Sequence, residues 1–543
     1  MPDFLRILML AVLAAALSGC SDGSRPADAA AREGILLVGN SADPGSLDPA
    51  LATGFSESRI LNALFEGLVR ADTKTLEIRP AVAKRWEVSD DGLRYVFYLD
   101  ENAKWSDGVP VGARDFVFAW RRAVSPGVGA EYASLFSAVE NAPEILSGRE
   151  RDISKLGVRA VSDNVLEVKL HRRCPYFLSL LYMGVFYPLR ADILEKFGAD
   201  KLPNAVWTKP ENIVSNGAFK LSQWRINDRV SVRRNPFYAN QNLIKLNGID
   251  FFPIANLNTE DRAFRTGQLH ITDSVAPFRI PEIRARAPQT LRSDKWLGVY
   301  YYVFNTSRKP FDDPRVRRAL SLAIDRRAII DGCIKGGQEE AYSFVPEGCG
   351  GFKTSADVLR RRDVALAKRL LAQAGYPEGR GFPKIRITYN VSEQHKPVAE
   401  AIQQMWRETL GVEAQLYNLS WPAYLAARRA GDFDVARASW VGDFAEPETF
   451  LNVFLTGSAL NHTRWNSPEY DAIVRSAASA ADTSARLDAL AKADALLARE
   501  SPIMPIYYYS KVYRISPAVK NWNANLLDYH DFKEVYLSPL PSK

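Results

Sequence analysis

Apolar and polar positions along this chain switch repeatedly between period two and helical spacing. Residues 35–38 form a short apolar run that predicts a buried strand, with a turn at 44–49 behind it. From 58 to 70 the apolar residues Ile60, Leu61, Leu64, Phe65 and Leu68 recur at helical spacing. Ser89, Asp90, Asp91 and Gly92 predict a hairpin turn entering a strand at 93–99. A helix is expected from about Ala113, with Gly112 a weak N-cap. Residues 164–170 alternate like a strand, and 216–221 and 229–234 read as two more, before a turn at Asn235 and Pro236. The stretch 295–305 carries Tyr300, Tyr301 and Tyr302 and reads as a strand crossing between domains.

Further on, Asp313 and Pro314 stand as N-cap and first residue of a helix running to 324. Amphipathic helices are predicted at 361–374 and 396–410, the second ended by Gly411, with strands at 385–389 and 412–419 on either side of it. Another crossover helix starts near Pro422 and is stopped by Gly431; a helix at 485–499 and a strand at 502–509 follow. Strands joined by helical crossovers imply an α/β lobe, and no fixed-period repeat suggests a solenoid or propeller.

The stretch 431–447 is the most informative. Phe433, Val435, Arg437, Ser439 and Val441 fall on one face of a strand, and Asp434, Ala436, Ala438 and Trp440 on the other. An arginine among apolar residues needs a carboxylate partner, either internal, such as Asp443, or from a ligand. Gly442 breaks the strand, Asp443 follows, and Pro447 closes the loop.

At 543 residues the chain exceeds what one core serves, so two or three domains are expected. A composition of 47% hydrophobic and 24% charged residues is globular. The net charge of +7 is dispersed, with Arg360, Arg361 and Arg362 the longest basic run, so nucleic acid is not an expected partner. Residues 1–19 read as a signal peptide: Arg6, then an apolar run from Ile7 to Leu17 too short to anchor in a bilayer. Leu17, Ser18, Gly19 and Cys20 form a lipobox, in which Cys20 is lipidated and becomes the first mature residue. Residues 20–32 are expected to be a flexible tether on the outer side of a membrane.

Cys174, Cys333 and Cys349 remain, and the last two either close a short loop as a disulfide or stay free. Catalytic signals are sparse. His171, His270, His395, His462 and His530 are scattered, and there is no HExxH motif, strand-borne nucleophile elbow or Walker A loop. Neither an enzyme nor a cofactor is expected, although a secreted hydrolase is a rival reading because triads need no sequence motif.

The stretch 431–447 resembles the signature of bacterial oligopeptide-binding proteins, the receptors of peptide ABC importers, as does the segment 103–120. The resemblance covers nearly the whole mature chain, with 103–122, 298–325 and 385–452 its best-matched blocks. It implies an α/β, two-lobed periplasmic-binding-protein fold (class II-like) of three domains, with the ligand cleft between the lobes. Domain I would comprise 33–68, 195–297 and 511–543, domain II 69–194, and domain III 298–510. A monomer that passes oligopeptides to a membrane permease is implied; a dipeptide, murein peptide, opine or sugar is the alternative solute.

The same resemblance implies roles for single residues. Asp443 would take the peptide ammonium, and Arg437, Arg428, His395 or Lys335 its carboxylate, according to ligand length. Ser439 and Val441, with the backbone near Tyr301, would pair with the ligand main chain as an added strand. Trp421, Tyr132, Tyr509, Trp440 and Phe55 would line the cleft. A straight strand puts Asp443 roughly 20 Å from Arg437 at about 3.3 Å per residue, whereas an extended tripeptide spans about 10 Å. Short peptides are therefore held at both ends only if the chain bends at Gly442. Gly298 and Val441 stand where the family has a cysteine pair, and Thr53 where it has a glutamate.

Overall fold

Pro26 and a run of alanines nucleate the first helix, α1 (Pro26–Arg32), in the computed structural model, which describes residues 25–538 apart from 355–361, 393, 459 and 481. This corrects the expected tether over its second half. Ala27 is buried against Leu37, Ala263 and Leu269, with Ala30 packed on the same cluster, and the Ala27 N–H donates to the Gly267 carbonyl. Small side chains let the helix lie close on the domain, so its residues gain more from burial than they lose in chain freedom. The signal peptide, Cys20 and the start of the tether lie outside the described residues.

The chain continues through β1 (Ile35–Gly39) and α2 (Phe55–Leu64). The apolar repeat at 58–70 stops being helical at Phe65, which is extended, and a short strand follows at Val69–Ala71. Gly67 passes so close to the Leu181 carbonyl that a Cβ there would lie 2.6 Å from it; close backbone approach overrides helical periodicity. Next come β2 (Ala83–Val88), β3 (Arg94–Leu99), α3 (Ala113–Val124), β4 (Val158–Ser162) and β5 (Val165–Lys169). Gly112 provides no capping side chain, but its N–H donates to the Asp115 carboxylate at 2.9 Å. Strands β6 (Phe219–Arg225), β7 (Arg229–Arg234) and β8 (Gly248–Phe252) complete the first lobe. Its two four-stranded sheets, ordered β1-β8-β7-β6 and β2-β3-β5-β4, share one continuous apolar core with the C-terminal residues Trp522 and Phe532. The strand expected at 216–221 is displaced to β6, leaving Gly217 packed against the Leu64 backbone.

The second lobe is built on β9 (Leu291–Phe304), α4 (Pro314–Leu322), α5 (Val364–Gln373), β10 (Ile385–Asn390), α6 (His395–Leu410), β11 (Ala414–Leu419), α7 (Trp421–Ala430), β12 (Val435–Val441), α8 (Thr483–Glu500) and β13 (Ile503–Arg514). Gly411 and Gly431 end α6 and α7 with left-handed backbones, φ 68° and 75°. The sheet order is Glu339–Glu340, β13, β9, β12, β10, β11. One core on this sheet holds Tyr300, Tyr302, Val435 and Trp406; the opposite core holds Tyr301, Ala436, Ala438 and Phe450. The predicted alternation is realised from Val435 to Val441, with a core on each face. Phe433 lies before the strand and is buried in the same core as Ala436 and Ala438, which corrects its expected face, because the two-residue period holds only while the backbone is extended.

Two strands cross between the lobes. β9 and β13 pair from Leu291 with Arg514 through to Val303 with Ile503, and Ile515 bridges to Ile271 in the first lobe. The thiols of Cys174, Cys333 and Cys349 are free; Cys333 packs on one core of the second lobe and Cys349 lies in the opposite one.

Candidate functional site

The site begins with an unfinished sheet edge. β12 pairs with β9 along its whole length, from Val435 opposite Phe304 to Val441 opposite Gly298. The Asn305 N–H donates to the Asp434 carbonyl and the Gly442 N–H to the Leu297 carbonyl, so even-numbered residues of β12 bond to β9. Arg437, Ser439 and Val441 then direct their N–H and C=O groups to the other side. There β10 pairs only with Val435 and Ala436 before it continues with β11 alone. The Tyr424 hydroxyl donates to the Arg437 carbonyl, leaving Ser439 and Val441 as an open edge.

Past this edge Gly442 has no room for a side chain, since a Cβ would stand 2.6 Å from Leu297 Cδ2. Asp443 then enters a cavity of about 220 Å³ between the lobes. The opposite walls are Thr53, Phe55, Arg59 and Asn62 at α2, Tyr132 and Tyr182 from the first lobe, and Asp528, Tyr529 and His530 from the C-terminal segment. Beyond Tyr182 the cleft widens into a second cavity of about 800 Å³, bordered by Lys74, Lys295 and Glu446.

Charge in the first cavity is cancelled everywhere except at Asp443. Arg59 lies 3.1 Å from Asp273 and 3.2 Å from Asp528, and Lys511 lies 2.9 Å from Asp273. Against its burial, the His530 hydrogen bond, then Lys511 and Arg59, hold Asp528 below the usual carboxylate range. Asp443 accepts a hydrogen bond from the Tyr132 hydroxyl at 2.9 Å, and among the described residues no cation forms an ion pair with it. Burial pushes its carboxyl above the ordinary value, against the Tyr132 hydrogen bond. The internal pair between Asp443 and Arg437 does not form.

Arg437 is 7% exposed and has only neutral company. Its guanidinium lies 4.8 Å from the Tyr300 ring centre, with Nη2 3.2 Å from the Tyr509 hydroxyl and Nη1 3.5 Å from Asn390 Oδ1; Nε is buried without a partner. Burial, then the charge on Arg437, lowers the His395 imidazole to about 3, so it is neutral at physiological pH. Near this cluster α6 begins, while Lys335 is exposed just after Ile330–Ile334 and borders neither cavity.

Other expected residues are placed differently. Tyr301 is a core residue packed on Phe344, and its strand has a neighbour on each side, so its backbone is not an open edge; this corrects the expected pairing there. Trp440 is half-buried against the same core. Trp421 is exposed and stacks on Tyr424, over which Arg428 also lies, at 5.6 Å. Phe55 meets Trp296 edge-on at 5.1 Å and lines the first cavity with Tyr132 and Val441. Sequence reasoning missed Asn62, Tyr182, Asp528 and Tyr529, which no local pattern singles out. Trp296, beside the predicted tyrosine run, had a signal in its aromatic neighbours.

Two lobes linked by a strand pair and closing on a cavity are the architecture of a solute-binding protein. The sequence profile described as bacterial extracellular solute-binding proteins, family 5, middle region, matches residues 77–462. The periplasmic oligopeptide-binding protein OppA of Salmonella typhimurium is 35% identical over 538 residues, 98% of this chain and 97% of the relative. The Escherichia coli murein tripeptide-binding protein MppA superposes with a TM-score of 0.79 at 34% identity, covering 93% of this chain and 98% of that one. Haemophilus influenzae OppA in complex with the peptide RPPGFSPFR gives 0.76 at 34% identity, covering 93% and 99%. The chain belongs to the family 5 bacterial extracellular solute-binding proteins.

Proposed function

We propose that this protein is a lipid-anchored, extracytoplasmic receptor that binds oligopeptides and hands them to an ABC-type permease. The observation that carries the reading is Asp443: a carboxylate without a cation, at the end of an open strand edge, inside a cavity whose other charges are paired. An ammonium is the complement that such a group lacks, and every peptide with a free amine provides one. Ser439 and Val441 offer main-chain groups to an extended ligand, so side chains need not be read for binding. Arg437 and Arg428 are the cations assigned to the ligand carboxylate, with the neutral His395 imidazole beside Arg437 as a hydrogen-bonding group and not as a charge; Lys335 is the outlying member of the set. Tyr132, Phe55, Trp421, Trp440 and Tyr509 are assigned to the cleft walls and rim. We keep the division into domains I, II and III, with α1 added to domain I. Peptides named for the relatives above support the solute class.

Calorimetry with paired peptides tests this. A free-amine alanine peptide is expected to bind, and its N-acetylated form to bind at least about 30-fold more weakly, the lower bound for deleting one side of a buried charge pair. Equal binding of the two forms would refute the ammonium assignment. Anchoring is tested separately. Lipidation at the lipobox requires the thiol, so Cys20→Ser is expected to move the protein out of the membrane fraction or leave it unprocessed. Wild-type protein recovered wholly soluble, with no lipid mass on Cys20, would remove that part.

A further inference from the structure

Arg437 is closed off by a side chain whose seat depends on a missing Cβ. The Tyr509 ring lies across β9 at Gly298, where a Cβ would stand 2.7 Å from Tyr509 Cδ2, 3.0 Å from the Trp440 carbonyl oxygen and 3.2 Å from Val441 Cγ2. From that seat its hydroxyl reaches Arg437 Nη2 at 3.2 Å. The ring is wedged between Trp296, 5.8 Å away, and Tyr300, 6.4 Å away, and Trp296 in turn meets Phe55 of the other lobe. On the far side Asn390 and the Tyr300 ring complete the enclosure, so Arg437 borders neither cleft cavity. A buried guanidinium with an unpartnered Nε and no carboxylate is an incomplete site: its desolvation is offset only by neutral groups.

We propose that Tyr509, seated on Gly298, is a gate over Arg437 and determines which peptide carboxylates reach that arginine. With the gate shut, the open edge at Ser439 and Val441 holds a ligand by its main chain and its amine, and the carboxylate end is left to solvent. When Tyr509 swings off Gly298, Arg437 exchanges a hydroxyl for a carboxylate, and peptides of matching length gain a second charged anchor. A Cβ at 298 meets the ring more closely than it meets the Trp440 carbonyl, so a side chain there is expected to displace the ring and leave the gate open. This inference rests on the peptide reading, because only a ligand with a terminal carboxylate would exploit the opening.

The test has two arms, using wild type, Gly298→Ala and Tyr509→Ala, each checked for folding by circular dichroism. The first needs no peptide: phenylglyoxal modification of Arg437, followed by mass spectrometry, is expected to be slow in wild type and at least about tenfold faster in both variants, as access to a buried group requires. Unchanged modification in both folded variants would overturn the gate. The second arm compares free-acid and C-terminally amidated alanine peptides, from tri- to hexa-alanine. Wild type should favour the acid by no more than about fivefold, the worth of a solvent-screened charge. Both variants should favour it by about 30-fold or more at the length that reaches Arg437, and Arg437→Met should abolish the gain. Faster modification without any change in the acid-to-amide ratio would show that Tyr509 covers Arg437 but would overturn its role in selecting peptide carboxylates. Failure of every peptide to bind would refute the peptide reading instead.

Discussion

Replacing Asp443 with asparagine is expected to weaken a free-amine peptide by about 30-fold to several thousand-fold, the loss of roughly 2–5 kcal/mol found when one partner of a buried charge pair is removed. The amide is nearly isosteric, so the cavity and the Tyr132 hydroxyl contact are preserved in shape while the charge is lost. An N-acetylated peptide, already without its ammonium, should lose little further. Stability should not fall, because burial without a cation works against the ionised carboxyl in the free protein. Thermal unfolding should therefore give a Tm equal to or above wild type. Acidity separates the two proteins again. The ligand ammonium stays protonated through the acidic range, whereas Asp443 must be ionised to hold it. Its carboxyl in the free protein lies above the ordinary 3.8, so affinity falls as pH drops through that raised value. Wild type should lose affinity on acidification sooner than an exposed aspartate would allow, and Asp443→Asn should not show that loss. Matching pH profiles for the two proteins would exclude Asp443 from ligand binding.

A large loss of stability is expected at Arg122, which borders neither cleft cavity. Arg122 and Asp48 are a buried bidentate pair, with Nη1 to Oδ1 at 3.1 Å and Nη2 to Oδ2 at 2.7 Å, and Nε donates to the Ala199 carbonyl. Asp48 also accepts the Ala50 N–H at 3.0 Å, so the pair shapes the turn that leads to Thr53 and Phe55 in the cavity wall. Arg122→Met leaves Asp48 buried and alone, which costs about 3–5 kcal/mol. Urea denaturation should show this as a lower midpoint at unchanged slope. Adding Asp48→Asn to Arg122→Met should restore part of the loss, because it removes the isolated charge. A single-variant loss below about 1 kcal/mol, typical of exposed pairs, would mean that this pair is not structural.

Much of the architecture was legible because the signals are local. Asp313 caps α4 by accepting the Arg315 N–H, and Gly411 and Gly431 stop α6 and α7 where expected. The two faces of β12 were readable from alternation, since side chains on a strand must point to opposite sides. Asp443 was marked by its place just beyond that strand and by the resemblance. The errors have a common cause. Residues 26–32 and 58–70 were misread because a docking partner and a close backbone approach, both distant in sequence, outweighed composition and periodicity.

By itself, then, the sequence determined the α/β class, the strand–helix order of the second lobe, and which residue types lie at the end of β12. Periodicity, capping and turn chemistry act over a few residues, so they survive in a one-dimensional reading. Tertiary structure alone decided which charges are available. Asp528 is neutralised by Arg59 from the opposite end of the chain, whereas Asp443 meets only the Tyr132 hydroxyl, and Arg437 meets Tyr509 instead of Asp443. Coulomb and hydrogen-bond partners are set by distance in space, and nothing in the spacing of residues along the chain encodes that distance.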